Sequence, residues 1–497
     1  MAEQYDVIII GAGIVGSMVA RFLSQYELDI LLIDKEADVG TQTSAANSAI
    51  VHAGYDAVHG TLKAQMSVEG NRLWSTVAQE LNVAFKRCGT YVAAVGPEEL
   101  EKLDPLLENG RRNGVPALDI ISGEEMRLRE PAINPDVSGA LWAPTGGVVN
   151  VFGATVAAAE NAVMNGVELK LNTAFEDFII EDGRITGIET NRGEFGCRWV
   201  VNSAGLYADW VMHKAGVRPD FEITPRRGEY FVFDPNMVQV GVVLFPVPSK
   251  ISKGIVVTTT THGNTMIGPN AENIEDKENT AVTREGLDEI GSGALKLVPS
   301  LDLRHVIASF AGLRAGGNAA CKDPDVRYNR DFVIEVAEEV EGLVNLGGIE
   351  SPGLTSAPAI AQRVIDLLKD AGEELEPKPT WNRIRPARPH FHHMTHEERT
   401  LLVQKDPRYG RIVCRCEEVT EGEIVAEIHA PIPATTYDAI KRRTWCGAGR
   451  CQGGFDMPRV VELLSQELGI PPNEVTKKGP GSEFLERPTK EVKTNGG

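Results

Sequence analysis

Four of the chain's seven cysteines fall in two tight pairs near the C-terminus, Cys414-Arg-Cys416 and Cys446-Gly-Ala-Gly-Arg-Cys451. Four thiolates delivered as close pairs from glycine-bearing loops are the ligand set of a 2Fe–2S cluster, which carries one electron at a time. Zinc also accepts four thiolates, and a structural zinc site is the alternative. Zinc pairs usually leave about two to four residues between the cysteines, so the one-residue gap in Cys414-x-Cys416 favours iron. Cys88, Cys197 and Cys321 are scattered singly and read as small buried apolar residues.

The other chemistry-bearing motif opens the chain. Residues 5–10, YDVIII, read as a buried strand, followed at once by Gly11-Ala-Gly13-Ile-Val-Gly16, an amphipathic helix from Ser17 to Gln25, and a second apolar run from Asp29 to Ile33 that ends at Asp34. Strand, glycine turn, helix, strand and acid make one dinucleotide-binding βαβ unit. Gly11 serves the tight turn, Gly13 lets backbone approach a pyrophosphate, and Gly16 lets helix and strand pack closely. The helix N-terminus offers N–H groups and a positive dipole to phosphate, and Asp34 would accept from ribose hydroxyls.

Three later segments favour FAD over NAD. Small and hydroxyl residues follow the acid, Thr43-Ser44-Ala-Ala-Asn47-Ser48-Ala-Ile-Val-His52-Ala-Gly54, and would make a close wall for a large ring. A strand ends in Ala204-Gly205. The turn Gly347-Gly348-Ile-Glu-Ser-Pro-Gly353-Leu354-Thr355-Ser356 leads into an apolar helix, Pro358 to Leu368. Its dipole would stabilise negative charge on a reduced flavin.

Composition narrows the class. A chain of 497 residues is too long for one core. Hydrophobic and charged contents of 42% and 24% are those of a globular protein. A net charge of −20 argues against nucleic-acid binding, and it requires a local cationic pocket for any anionic substrate. No apolar run is long enough to span a membrane. The start lacks a signal-peptide pattern, so a cytoplasmic protein is expected.

The expected fold class is α/β. It comprises a discontinuous Rossmann-type FAD-binding domain (1–55, 151–215 and 300–375), an interleaved α+β substrate or cap domain (56–150 and 216–299), and a small iron–sulfur domain (410–475). Strands are expected over Arg227–Phe233, Ile255–Thr261 and Thr265–Ile267 of the cap. The proline-rich stretch at 376–409 reads as linker, with His390, His392, His393 and His396 solvated in it, and 476–497 as a mobile tail.

These residues carry a resemblance. HAGYDAVHGTLKAQMSVEGN, TPRRGEYF, SFAGLRA and GGIESPGLTSAPAI resemble the group of FAD-dependent glycerol-3-phosphate dehydrogenases, oxidases and L-2-hydroxyglutarate dehydrogenases. IVCRCEEVTEGEI and KRRTWCGAGRCQGGF resemble the 2Fe–2S domain of bacterioferritin-associated ferredoxin, and the joining of both is similar to the catalytic A subunit of anaerobic glycerol-3-phosphate dehydrogenase. The resemblance implies glycerol 3-phosphate oxidation by hydride transfer to flavin, with electrons leaving through the cluster to an acceptor subunit or carrier. It places His52 near the flavin as a candidate base and Arg314 as the substrate-anion clamp. Lys253 and Arg227 are weaker cationic candidates.

Two positions depart from the pattern. Asp56 stands where a phosphate-binding arginine is expected, which brings the HAGY form nearer to hydroxyglutarate dehydrogenases and to a second type of glycerophosphate oxidase; Asp456 stands where some relatives carry an additional cysteine. The rival readings are a 2-hydroxy-acid dehydrogenase, more distantly an amino-acid dehydrogenase, and an electron-transfer subunit without its own substrate.

Overall fold

The computed structural model describes residues 3–236, 240–248, 254–322, 326 and 330–487. Contacts divide the chain into two units, residues 1–35 with 39–386, and residues 36–38 with 387–497.

The first unit is built on two large sheets and a small three-stranded one of Ile50–Val51, Gly147–Val149 and Phe85–Lys86. The strand Glu3–Ile10 lies at the centre of a parallel array, flanked on one side by Ile30–Ile33 and Glu168–Lys170 and on the other by Gly193–Asn202 and Leu343–Gly347. Its Val7, Ile8, Ile9 and Ile10 are buried, as a parallel strand covered on both faces requires. The first helix, Ile14–Leu23, begins inside the glycine motif, three residues before the apolar pattern becomes visible. Gly11 adopts φ +100°, and a Cβ there would come within 2.7 Å of Ser203 O. A Cβ on Gly16 would come within 2.0 Å of Gly11 O, so the turn can close only on glycine.

The second sheet has nine strands, and its spine is the antiparallel pair Ile223–Phe233 and Val306–Gly317. Phe233, Leu244, Val257 and Ile267 pack against Ile290, Ala294 and Leu297 of the helix Arg284–Leu297. The expected strand at 265–267 is present as Thr265–Ile267, and that at 255–261 shortens to Val257–Thr259.

Two helices of distant sequence cross beneath the site. Leu62–Glu80 runs against Gly353–Asp370, and a Cβ on Gly70 would meet Thr355 O at 2.1 Å. Pro358 lies inside the second helix and has no N–H for Leu354 O. The Trp74 indole donates to Leu354 O at 3.2 Å and to Thr355 O at 3.0 Å instead. This contact places Leu62–Glu80 with the nucleotide side, not with the cap where its sequence position had put it. Conversely Val306–Gly317, expected in the nucleotide domain, pairs along its length with a cap strand, because its partner lies some eighty residues earlier in the chain.

The second unit gathers the helices Glu421–Ile428, Tyr437–Thr444 and Met457–Leu468 around a core that includes Ile424, Ile428, Ile440, Val460 and Leu464, while the helix His396–Lys405 lies outside that core and buries none of its residues. The boundary between the two units falls inside the stretch 376–409, which carries structure of its own. Up to Pro386 it is tied to the first unit, with Lys378 N donating to Gln25 O at 2.7 Å and Arg385 Nε to Glu160 at 2.6 Å. Beyond that point, Thr395 and Glu398 form a capping box that starts a helix. The tail makes contacts as far as it is described: Thr476 bridges Glu483, and Phe484 lies edge-on to Tyr437 with centroids 5.4 Å apart. Residues 488–497 lie outside the described residues.

Candidate active site and cluster site

A cleft of about 800 Å³ opens at the C-terminal ends of the parallel strands. Gly11, Gly13, Asp34, Thr43, Ser44, Asn47, Ser48, His52, Ala204, Gly205, Arg314, Gly353 and Leu354 all line it. Gly16, Gly348 and Thr355 stand behind the lining. Lys253 lies outside the described residues.

Hydrogen bonds fix the wall. Asp34 Oδ2 accepts from Ala12 N at 2.7 Å, and Ser44 Oγ accepts from Ile14 N at the helix start at 2.9 Å. Thr43 Oγ1 donates to Leu313 O at 2.7 Å, tying the wall to the cap strand. Gly312 makes that approach possible, since a Cβ there would meet Ala46 O at 1.9 Å. Asn47 closes the wall on itself, donating to Thr43 O and Ser44 O and accepting from Ala49 N.

His52 is held by its backbone. Thr355 Oγ1 accepts its N–H at 2.9 Å, and Asn71 Nδ2 donates to its carbonyl at 2.8 Å. Its ring lies 5.8 Å from that of Phe245. Across the same cleft, Arg314 donates through Nη2 to Asn270 O at 2.8 Å and Arg227 O at 3.2 Å, and through Nε to Arg226 O at 3.3 Å. These bonds fix the plane of the guanidinium.

Arg227 does not line the cleft. It is buried, donating to Ala281 O and Glu272 Oε2 and lying 3.5 Å from Glu229. Its neighbour Arg226 lines the cleft instead, on the opposite face of the strand. A further cation, Lys63, also lines the cleft and pairs with Glu350 at 3.0 Å. Burial opposes charge on Glu350, but Lys63, Arg314 and Arg330 overcome it and hold the carboxyl below its ordinary range. Asp56 lines the cleft as well, so the acid noted in the sequence does face the site.

In the second unit the four paired cysteines converge. Cys414 Sγ lies 3.7 Å from Cys416 Sγ, which lies 3.5 Å from Cys451 Sγ. Cys414 and Cys446 are buried, while Cys416 and Cys451 are half-buried. Burial, with the neighbouring sulfurs, pushes the Cys416 thiol up to about 12. The hydrogen bond shared between Cys414 and Cys446 lowers the first and raises the second. Buried thiols in contact need a cation in place of their protons before all four can be thiolates. A Cβ on Gly449 would come within 2.8 Å of Cys416 Sγ, so the loop is shaped to leave the sulfurs room. The donor set fits a 2Fe–2S cluster.

The family "FAD dependent oxidoreductase" matches residues 6–367, and the family "BFD-like [2Fe-2S] binding domain" matches residues 412–466, which hold all four cysteines. The chain belongs to the FAD-dependent oxidoreductases. It is 46% identical to a glycerol 3-phosphate dehydrogenase of Caloramator mitchellensis over 98% of this chain and 99% of that one. The structure of dithionite-reduced L-α-glycerophosphate oxidase from Mycoplasma pneumoniae with FAD bound superposes with a TM-score of 0.71 at 32% identity, covering 78% of this chain and 99% of that one. A mitochondrial L-2-hydroxyglutarate dehydrogenase of Nematostella vectensis is 28% identical over 73% of this chain and 90% of its own.

The cleft of this oxidoreductase suits FAD on its own geometry. The glycine turn would be filled by any Cβ, and the hydroxyl wall stands beside it. The sequence reading missed Arg226, Lys63 and Glu350. Period-two alternation from Arg226 through Gly228 to Tyr230 could have found the first. The Lys63–Glu350 pair spans 287 residues and leaves no local signal.

Proposed function

We infer that the protein is an FAD-dependent glycerol-3-phosphate dehydrogenase that releases electrons through its 2Fe–2S cluster. What carries this reading is the match to a glycerol 3-phosphate dehydrogenase over both the flavin and the cluster regions. The matched oxidase leaves part of this chain without counterpart.

The chain's own groups support the chemistry. Bound FAD supplies a hydride acceptor. His52, with its backbone pinned from both sides, would take the substrate hydroxyl proton on its imidazole. Arg314, planar and pre-set, would hold the anionic end, with Arg226 and Lys63 adding positive charge against Asp56. Gly11, Gly13, Asp34, Ser44 and Gly205 would hold the nucleotide and ring. Cys414, Cys416, Cys446 and Cys451 would ligate the iron.

No helix among the described residues is long and apolar enough to cross a membrane. An electron-accepting partner subunit or carrier, and residence in the cytoplasm, belong to this reading. The test is anaerobic mixing of the holoenzyme with glycerol 3-phosphate, L-2-hydroxyglutarate, other 2-hydroxy acids and proline, following the flavin absorbance. Bleaching by glycerol 3-phosphate alone is expected. Bleaching by L-2-hydroxyglutarate alone would reassign the substrate, and bleaching by none would leave an electron-transfer subunit.

A further inference from the structure

Asp456 is 1% exposed and begins the helix Met457–Leu468. An aspartate at that position ordinarily accepts from the backbone N–H groups of the first turn. Asp456 makes no such bond. Its carboxylate turns inward, where a ligand atom from each of Cys414, Cys446 and Asp456 lies within 4.8 Å of the others. The Cys451 thiol donates to Asp456 Oδ2 across 3.9 Å. The carboxylate thus sits among sulfurs from both cysteine pairs.

A second set of contacts holds it there. Tyr437 donates its hydroxyl to Asp456 Oδ1 at 2.9 Å. The loop wraps that hydroxyl: Cβ atoms on Gly447 and Gly453 would come within 2.3 Å and 2.4 Å of Tyr437 Oη. Both glycines have positive φ. The cysteine loop is therefore folded around a tyrosine that aims a carboxylate at the sulfurs.

The geometry points to Asp456 as a fixed anion of the iron–sulfur site that lowers the cluster's reduction potential. Cys414, Cys416, Cys446 and Cys451 would supply the four thiolates that such a cluster needs, leaving Asp456 beside the ligand set and not in it. The carboxylate then adds a full negative charge beside the cluster in a poorly screened interior. Reduction places one more electron there, so the anion disfavours the reduced state. Charge near the sulfurs is one of the levers by which proteins set such potentials.

This inference rests on the assignment of the four cysteines as cluster ligands, and the experiment separates the two. The purified holoenzyme and its Asp456→Asn variant are analysed for iron and titrated with dithionite and mediators, with the reduced cluster followed by electron paramagnetic resonance. The expected result is two irons per chain in both, the same g-values, and a midpoint potential displaced upward in Asp456→Asn. Asp456→Ser, also neutral and able to accept from Tyr437, gives the same reading if the asparagine variant does not fold. An unshifted potential with a full cluster overturns the inference. So do altered g-values, or loss of iron in the asparagine and serine variants restored by Asp456→Glu, since these make Asp456 a ligand. Absence of iron from the native chain overturns the ligand assignment itself.

Discussion

Arg226 and Arg314 stand directly opposite one another on paired antiparallel strands, and both line the cleft. Like charges in that register are destabilising. Arg314 is compensated in part by the carbonyls of Arg226, Arg227 and Asn270, all acceptors. Glu350 faces the same cleft and offsets part of the rest, and an anionic ligand would add to it. Arg314→Lys keeps the charge but loses the planar fork. KM for glycerol 3-phosphate is expected to rise roughly ten- to a hundredfold, equivalent to about 1.5–3 kcal/mol for a hydrogen bond to a charged group. The limiting rate of flavin reduction should fall much less, and a stopped-flow concentration series separates the two.

His52 and Thr355 lie 303 residues apart and meet through one hydrogen bond. In His52→Ala the limiting rate of flavin reduction should drop about 10²–10⁴-fold, the usual worth of a positioned acid–base group. FAD content should be unchanged. Thr355→Val removes the acceptor of the His52 N–H and leaves the imidazole in place, so its loss should be smaller. Equal rates in native and His52→Ala enzyme would leave the histidine a bystander.

What the sequence disclosed and what it hid divide along a physical line. Gly11, Gly13, Asp34 and the cysteine pairs were legible because local backbone needs and ligand chemistry restrict residue type within a few positions. The helix His396–Lys405 was hidden under a proline-rich stretch, although the Thr395…Glu398 capping box is a local signal for its start. Arg226 and Arg227 are adjacent, and only the strand's parity decides which one faces the cleft. Lys63–Glu350, and the pairing of Val306–Gly317 with the cap, depend on partners brought together by tertiary structure.

Within the second unit, Asp38 accepts from Arg443 through both of its oxygens at 2.7 Å and 2.8 Å, and from Arg442 at 2.7 Å. Burial would raise its pKa, but Arg443 and then Arg442 outweigh it and hold the carboxyl at about 2. The folded pKa thus lies below the unfolded value of about 3.9. This stability is fully present above about pH 4 and is lost as pH falls through about 2, amounting to about 3 kcal/mol. Asp38→Asn removes the carboxylate shared by Arg442 and Arg443, leaving Glu427 at 3.7 Å from Arg443, and should destabilise the unit by roughly 3 kcal/mol. Chemical denaturation at pH 7 and at pH 3 checks both statements. The difference between native chain and variant should shrink at the lower pH.

Where the electrons go decides between a dehydrogenase and an oxidase. An oxidase needs only flavin and oxygen, and the matched Mycoplasma oxidase leaves part of this chain uncovered. A cluster takes electrons singly and can pass a flavin's pair, one after the other, to a carrier or a partner subunit. Oxygen consumption during turnover in air is therefore expected to be slow, and reduction of a one-electron dye fast. Cys446→Ser removes a buried thiol from the cluster site, which lies in a unit of its own, so iron should be lost while FAD stays bound. Dye reduction should then slow sharply, with flavin reduction by substrate unchanged. Peroxide yield is the deciding measurement: fast, stoichiometric peroxide that persists in Cys446→Ser would mean that electrons leave from the flavin and bypass the cluster.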